Sequence, residues 1–314
     1  MNTQESALNS NPIMSIIIPC YNRGQRLTSM LMDIIERMPK EAIEILLSDD
    51  SSEENSSFSL LEFSRQFPGT VIYRKNESRL GYAANLIQAI HLSRGEYLFV
   101  LMDEDSLVAE NLTIFIEDVI ENNYDIAISA HHLDQIRNDT LEVLKVSEID
   151  ILGLLRHPTG FTVRRELANE ALKNPWVLST IKKVPQYPCV PIGLYCTSQF
   201  KMFKYFLKVY INNGDDGNSQ SGWTPDGILN HYTNFTSRAN QIEAYIEMIR
   251  SIISSENTQS FPFIQLQKSA LDEQLYMLLE EGIIETFDTK TVSAFYKRSA
   301  KNSIKWLLSN LRSL

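Results

Sequence analysis

The segment Gly95–Leu107, GEYLFVLMDEDSL, decides the fold, because an apolar run ends directly in three carboxylates. Tyr97–Met102 is short, continuous and rich in aromatic and branched side chains, which is typical of an interior strand in a sheet covered on both faces. Ligands of open α/β sheets collect at the carboxyl ends of strands, so a charged ligand is expected at this point. In extended backbone Asp103 and Asp105 would face the same side and share one hard cation, Mg²⁺ or Mn²⁺. From this triplet alone, a solvated acidic loop that caps the next helix is the alternative.

Two further strand-like segments also end in polar residues. Ile43–Leu47 stops at the sequence SDDSS, and Met14–Pro19 runs into CYNRG before an amphipathic helix. Parallel strands end at a common edge of their sheet. We therefore expect Asn22, Asp50 and Asp103 to lie at one edge.

The hydrophobic pattern alternates between the periods of strands and helices. It predicts strands at 14–19, 43–48, 70–74, 97–102 and 125–130, and helices at about 24–37, 54–67, 81–93 and 111–122. Leu27, Leu31 and Ile34 form the apolar face of the first helix. Strands that alternate with helices indicate parallel pairing through right-handed crossovers.

The second half of the chain is less regular. We expect irregular structure over 131–235, where several prolines interrupt the elements, namely Pro158, Pro185, Pro188, Pro191 and Pro225. The pattern becomes helical again from about Ser237.

The segments IIIPCYNRG, ILLSDDSS, RLGYAANLIQAI and GEYLFVLMDED together resemble the family 2 glycosyltransferases, whose nucleotide-binding half has the GT-A fold. They occur in order and at natural spacing over residues 14–130, and four linked motifs are far more specific than one DxD. The sequence GFTVRR at Gly160–Arg165 resembles the acceptor-side segment of that family. The resemblance implies an α/β, Rossmann-like GT-A fold: a mostly parallel sheet flanked by helices, with a C-terminal helical appendix.

The same resemblance divides the chain into regions. We expect a disordered extension at 1–12 and a GT-A domain at 13–235. Within that domain, 13–130 would be the nucleotide-sugar half and 131–235 the acceptor half. Residues 236–314 would form the helical C-terminal region.

The resemblance also implies which residues bind the nucleotide. Pro19, Tyr21 and Asn22 would wrap around the base and ribose, and Asp50 would accept a hydrogen bond from the base. Gly81 would let the backbone approach the ligand, Asn85 would tether the loop, and Arg79, which stands where many relatives have Asn, would contact the diphosphate. The bland alternatives are an ordinary strand-to-helix turn for the first loop and a helix N-cap for Asp50.

Breaking the bond between sugar and diphosphate builds charge on the leaving phosphate, which a divalent cation stabilises. By the resemblance, Asp105 is the metal ligand, Asp103 bridges ribose and metal, and Glu104 is less engaged. Inversion needs a general base on the acceptor hydroxyl. Leu172–Gly214 contains no carboxylate, so the candidates are Asp216, beside Asp215, and His157. A surface turn and a structural histidine are the respective alternatives, and His231 is a weaker candidate for the metal shell.

The composition limits the classes of partner and compartment. With 314 residues, of which 43% are hydrophobic, the chain can bury one substantial core plus a smaller unit. A net charge of −10 argues against a nucleic-acid partner. Three scattered cysteines, Cys20, Cys189 and Cys196, indicate free thiols in a reducing compartment. The polar first dozen residues carry no secretory signal, and no apolar run approaches the roughly 20 residues of a membrane span. These features favour a cytoplasmic protein.

The segment Thr291–Leu314 has five basic residues and no acidic one, with apolar residues at helical spacing beside Trp306. A basic amphipathic helix of this kind suits the inner face of an anionic membrane, where a lipid-linked acceptor would be presented. Packing on the chain's own helices or on a second subunit, as in a homo-oligomer, remains the alternative.

We therefore expect an inverting glycosyltransferase of surface polysaccharide biosynthesis (O-antigen, capsule or similar). By family resemblance, it would use a nucleotide sugar, most commonly a UDP-sugar, and a saccharide or lipid-linked saccharide acceptor. A sugar-nucleotide nucleotidyltransferase is the alternative enzyme, but it would need a Gly-rich, Arg-containing first loop, and CYNRGQR has one glycine. A catalytically inactive nucleotide-sugar-binding module is a third reading, which the joint presence of Asp50, Asp103 and Asp105 disfavours. No GxGxxG follows a strand, which disfavours a dinucleotide dehydrogenase.

Overall fold

The computed structural model describes residues 12–37, 43–107, 109–131, 158–198 and 203–213, together with Gln241, Ala244, Tyr245, Glu247, Met248 and Ser251. The strands of these ranges are β1 Met14–Cys20, β2 Ile43–Asp49, β3 Val71–Lys75, β4 Tyr97–Val100, β5 Asp105–Leu107, β6 Ile126–His131, β7 Phe161–Arg164 and β8 Phe203–Asn213. The helices are α1 Gly24–Arg37, α2 Glu54–Gln66, α3 Tyr82–Leu92, α4 Ala109–Asn122, α5 Arg165–Lys173, α6 Pro175–Lys183 and α7 Cys189–Ser198.

One mixed sheet organises the chain, with the strand order β3-β2-β1-β4-β7-β6-β8-β5. The first four strands are all parallel, and Ile16 of β1 lies between Ile45 of β2 and Phe99 of β4. β7 is antiparallel to both β4 and β6, β8 is parallel to β6, and β5 is antiparallel to β8. The carboxyl ends of β1, β2 and β4 therefore share one edge, as the sequence predicts.

Hydrophobic cores cover both faces of this sheet. Alternate residues of β1 serve opposite faces: Ile16 belongs to the core under α1, α2 and α4, and Ile17 to the core under α3, α5, α6 and α7. Ala244, Tyr245 and Met248 join the second of these cores. Full burial of an Ile or Leu side chain contributes about 1.5–3 kcal/mol. The loops at the strand ends thus rest on a rigid base.

The predicted strands and helices of the first 131 residues are confirmed to within two residues at each end. Leu27, Leu31 and Ile34 are buried as the apolar face of α1. The prediction of irregular structure over 131–235 is wrong for the described part, because residues 158–213 contain two strands and three helices. Pro175 and Pro191 lie in the first turns of α6 and α7, where a missing N–H costs nothing, and Pro185 and Pro188 lie between these two helices.

A buried polar network closes the opposite, amino-terminal edge of the sheet. Glu44 is fully buried and accepts hydrogen bonds from the Ser15 hydroxyl at 2.6 Å and the Arg94 backbone N–H at 2.6 Å. Its second oxygen accepts from Nε of Arg94 at 2.7 Å. The network joins β1 and β2 to the turn that precedes β4.

Among the helices of the described residues, none is both long enough and apolar enough to cross a bilayer. Of the predicted C-terminal helical region 236–314, six residues are described, and all six are helical. The predicted tail 291–314 and residues 1–11 lie outside the described ranges.

Candidate functional site

The loops that follow β1, β2 and β4 meet at the carboxyl edge of the parallel strands. The backbone N–H of Asp50 donates to the carbonyl of Cys20 at 2.9 Å, and that of Tyr21 donates to Oδ2 of Asp103 at 3.1 Å. The backbone N–H of Asn22 donates to Oγ of Ser52 at 2.8 Å. Three loops that are far apart in sequence thereby form one continuous surface.

Backbone strain is concentrated in the first two of these loops. Asn22 and Ser51 have φ values of +56° and +64°, in the left-handed region that non-glycine residues rarely enter. Oδ1 of Asn22 accepts from the backbone N–H of Glu53 at 2.8 Å. Asn22 therefore ties the β1 loop to the start of α2, while the preceding Pro19 is buried within β1.

Tyr21 and Arg79 form a stacked pair above this edge. The Arg79 guanidinium carbon lies 4.1 Å from the centre of the Tyr21 ring, which is a cation–π geometry. Arg79 is exposed and Tyr21 is partly buried. The pair brings a fixed positive charge beside the loops that carry the carboxylates.

Asp50 holds the loop between β3 and α3. Its Oδ1 accepts from the backbone N–H of Leu80 at 2.7 Å and from Nδ2 of Asn76 at 3.1 Å. Its Oδ2 accepts from the backbone N–H of Gly81 at 2.9 Å. The N-cap position of α2 is Glu53, so Asp50 does not cap that helix. The buried carboxylate instead fixes the loop that carries Arg79.

Glycine and asparagine complete this loop. Gly81 has φ +82° and precedes α3, a conformation that a side chain would strain. Asn85 is buried, donates from Nδ2 to the Ser48 carbonyl at 2.8 Å and accepts from the Ser48 hydroxyl at 2.7 Å. Its Oδ1 also accepts from Asn76 at 3.0 Å. The start of α3 is thus bound to the end of β2.

Asp49, the first aspartate of the SDDSS sequence, serves the fold. It is fully buried, and its carboxylate accepts from the Ser52 backbone N–H at 2.8 Å, the Ser57 hydroxyl at 2.8 Å and the Tyr73 hydroxyl at 2.6 Å. Burial and the hydrogen bond to Asp49 raise the pKa of Tyr73 well above its usual range. Asp49 therefore organises α2 and β3.

Burial and several charged groups act on the carboxyl of Asp103. Burial raises the pKa of its carboxyl to about 6, opposed by the bond from Tyr21 and by the charges of Arg23 and Arg26. The negative charge of Asp105 contributes a smaller part of this rise in the pKa of Asp103, so the two carboxylates are close enough to interact. A bound cation would relieve this repulsion.

The backbone through the three carboxylates is not one extended strand, so the prediction that strand alternation places Asp103 and Asp105 on the same side is wrong. β4 ends at Val100, Asp103 and Glu104 form a turn, and β5 begins at Asp105. The backbone N–H of Asp105 donates to the Met102 carbonyl at 3.1 Å, which closes this turn. The Glu104 carbonyl accepts a hydrogen bond from Nη2 of Arg26. Turn geometry, not strand alternation, sets the relative positions of the two aspartates.

Asp105 is buried, and Oδ2 of its carboxylate accepts a hydrogen bond from the hydroxyl of Thr159. The sequence did not single out Thr159 or Arg26. Thr159 directly precedes GFTVRR, but only the pairing of β7 with β4 brings it beside a residue 54 positions earlier.

Within the described ranges, no three His, Cys, Asp or Glu side chains come together as a metal site. The metal role of Asp103 and Asp105 therefore remains a prediction. The candidates for general base, Asp216 and His157, lie outside the described residues, as does His231.

Comparison with known proteins gives a family and a fold. The sequence model of the family Glycosyl transferase family 2 matches residues 15–169. A poly(ribitol-phosphate) beta-glucosyltransferase of Bacillus spizizenii is 28% identical over 116 residues, which are 37% of this chain and 18% of that protein. The chain likewise covers less than two fifths of the next relatives it matches.

Two solved structures share the architecture. S. aureus TarS 1–349 in complex with UDP-GlcNAc has a TM-score of 0.57 at 16% identity, covering 85% of this chain and 73% of that one. The mannosyltransferase PcManGT from Pyrobaculum calidifontis, in complex with GDP-Man and Mn²⁺, has a TM-score of 0.56 at 12% identity, covering 93% and 81%. At these identities the likeness establishes the fold, which is of the GT-A type.

Proposed function

Because residues 15–169 belong to glycosyl transferase family 2, we propose that this chain is an inverting glycosyltransferase that moves a sugar from a nucleotide-sugar donor to a saccharide or glycolipid acceptor. One observation carries the proposal: the Tyr21 backbone N–H holds the carboxylate of Asp103 at 3.1 Å, where the loops of three parallel strands converge. In open α/β sheets that edge is where nucleotides bind.

The donor half of the site is assigned to residues of these loops. Tyr21 and Asn22 would meet the base and ribose, with Pro19 behind them, and Arg79 would reach the diphosphate. The stacking of Arg79 on Tyr21 at 4.1 Å supports this role, because it holds a guanidinium in place for phosphate oxygens. UDP is the carrier that we propose, supported by the UDP-GlcNAc complex of the similar TarS structure.

Asp50 would contact the nucleotide base in addition to its hydrogen bonds within the protein. Both oxygens of Asp50 already accept hydrogen bonds from the loop 76–81. Oδ1 accepts two of these bonds and Oδ2 accepts one, so Oδ2 keeps a lone pair for a contact to the base. Asp50 would thus act on the donor directly and through Arg79.

The site also fits a divalent cation, Mn²⁺ or Mg²⁺, held by Asp103 and Asp105. The fit rests on two oxygen donors placed on one short turn, where the charge of Asp105 acts on Asp103. Two carboxylates completed by donor phosphate and water form a common shell for such ions. When bound, the cation would stabilise the charge of the leaving diphosphate.

The remaining steps belong to the protein's own side chains. Tyr21 fixes Asp103 through its backbone N–H, and Arg26 fixes the turn at the Glu104 carbonyl. Proton removal from the acceptor hydroxyl is assigned to Asp216 or His157, which stay predictions.

For the acceptor we propose a surface polysaccharide or its lipid-linked precursor. The support is the similarity to the poly(ribitol-phosphate) beta-glucosyltransferase of Bacillus spizizenii, together with the basic segment 291–314, whose apolar residues recur at helical spacing. Peripheral contact at the inner face of the membrane belongs to the same proposal.

The test is a panel of UDP-, GDP-, CMP- and dTDP-sugars, incubated with the full chain and Mn²⁺ or Mg²⁺. We expect release of nucleotide from one carrier class, and loss of that release when EDTA is added. Pyrophosphate-dependent formation of nucleoside triphosphate from the same sugars would instead support a nucleotidyltransferase. Nucleotide binding without turnover on any sugar or acceptor would support a binding module.

A further inference from the structure

Thr159 lies in the turn before β7 and contacts the loop that carries the three carboxylates. Its side chain is buried, and Oγ1 accepts a hydrogen bond from the backbone N–H of Met102 at 2.9 Å. The same hydroxyl donates to Oδ2 of Asp105. One threonine therefore bonds to both ends of the turn that contains Asp103 and Glu104.

Chemistry fixes the direction of the hydrogen bond between Met102 and Thr159. An amide N–H can only donate, so the hydroxyl oxygen of Thr159 must be the acceptor toward Met102. The hydroxyl hydrogen is then available to Oδ2 of Asp105, which accepts it. This bond favours one rotamer of the Asp105 side chain.

The turn that holds Thr159 is itself well anchored. The backbone N–H of Gly160 donates to the Val100 carbonyl at 2.9 Å, and that of Phe161 donates to the Pro158 carbonyl at 3.1 Å. Gly160 has φ +88°, a conformation that glycine adopts without strain. Thr159 is thus presented by a rigid turn on the end of β4.

We propose that Thr159 is a positioning residue, which holds the Asp105 side chain in the orientation that binds the divalent cation of the donor site. The inference rests on the proposed function and adds a residue on the acceptor side of the fold. Partners that orient metal ligands in this way commonly affect metal affinity by about 10- to 100-fold.

The test compares Thr159→Val, which removes the hydroxyl at nearly constant volume, with Thr159→Ser, which keeps it. Mn²⁺ affinity is measured without turnover. The full chain is titrated with Mn²⁺ in the presence of UDP or, separately, GDP, and the electron paramagnetic resonance signal reports the free Mn²⁺. We expect Thr159→Val to weaken Mn²⁺ binding about 10- to 100-fold and Thr159→Ser to stay within about threefold of wild type. Thr180→Val is the matched control, because Thr180 is also buried but donates to the Trp176 carbonyl within α6.

Equal Mn²⁺ affinity of wild type and Thr159→Val, or an equal loss in Thr159→Ser, would overturn the positioning role while leaving the proposed function intact. Absence of nucleotide-dependent Mn²⁺ binding by the wild-type protein would instead reject the metal site and the positioning role with it. If Thr159→Val does not fold, Thr159→Ser and Thr159→Ala give the same comparison, since both lack the methyl group and differ in the hydroxyl.

Discussion

The carboxylate of Asp50 accepts a hydrogen bond from the backbone N–H of Gly81 at 2.9 Å, so the end of β2 is bound to the residue that precedes α3. Through the adjacent Leu80 N–H, at 2.7 Å, the same carboxylate fixes the loop that carries Arg79. The relationship connects a buried side chain with an exposed guanidinium that stacks on Tyr21.

Replacing Asp50 should mainly weaken donor binding. Asp50→Ala leaves the N–H groups of Leu80 and Gly81 without their acceptor, so Arg79 loses its fixed position. We expect the donor KM to rise about tenfold, in line with the loss of hydrogen bonds to a charged group, with a much smaller effect on kcat. Initial-rate kinetics over a range of donor concentrations check this. A loss confined to kcat, with donor affinity unchanged, would assign Asp50 to the chemical step.

The hydrogen-bond network of Ser15, Glu44 and Arg94, at the amino-terminal edge of the sheet, should affect stability and leave donor binding unchanged. Arg94→Ala removes one partner of the fully buried Glu44, whose remaining bonds come from Ser15 and a backbone N–H. Because the Arg94 side chain is 52% exposed, we expect a modest loss of about 1–2 kcal/mol in the free energy of unfolding, measured in urea.

Arg65→Ala is the control for this prediction, since Arg65 pairs with Glu62 on the exposed face of α2. Its effect should stay within about 0.5 kcal/mol. Equal losses in the two variants, or a change of donor affinity in Arg94→Ala, would contradict the assignment of Glu44 and Arg94 to stability.

The thiols should resist alkylation at moderate pH. All three cysteines are free and buried. Burial raises the pKa of Cys189 to about 12. Burial, together with the negative charges of Asp103, Asp49 and Asp50, raises the pKa of Cys20. A raised pKa means that less thiolate is present at pH 8 than in the unfolded chain. We expect slow labelling by iodoacetamide in the native protein at pH 8, and rapid labelling of all three cysteines in urea. Mass spectrometry that finds native Cys189 modified as fast as the unfolded chain would contradict the burial.

Local sequence pattern predicts part of this structure, and contacts between distant segments decide the rest. The apolar runs and their spacing predicted the parallel strands, the first four helices and the shared edge of Asn22, Asp50 and Asp103, because each of these depends on local pattern and on the general geometry of α/β sheets. The turn at Asp103 and Glu104 was missed because an apolar run predicts a strand but not where the ladder stops. Thr159 was missed because antiparallel β7, far along the chain, brings it to Asp105, and no local periodicity encodes that pairing. The sequence pattern does not predict the short helices of 165–198, because prolines usually indicate an interruption, whereas here they begin or separate helices.

The basic segment 291–314 should contribute to membrane contact. Its five basic residues would be attracted to anionic lipid. Trp306 and the apolar stripe, which is the set of apolar residues at helical spacing beside it, would enter the membrane–water interface. We expect the full chain to co-sediment with vesicles of phosphatidylglycerol and phosphatidylethanolamine, and a chain ending at residue 290 to remain in the supernatant. Unchanged binding by the shortened chain, or none by the full chain, would favour packing of the stripe on protein.

We expect the donor site at the carboxyl edge of β1, β2 and β4 to work through Asp103 and Asp105. The most direct test is the rate of metal-dependent release of nucleotide from the preferred sugar donor, measured for wild type and for Asp105→Asn, with Asp33→Asn on the exposed face of α1 as the control. We predict a loss of about 100-fold or more in kcat for Asp105→Asn, an unchanged circular dichroism spectrum, and full activity of Asp33→Asn. Wild-type rates in Asp105→Asn, or in wild-type protein with excess EDTA, would contradict the account.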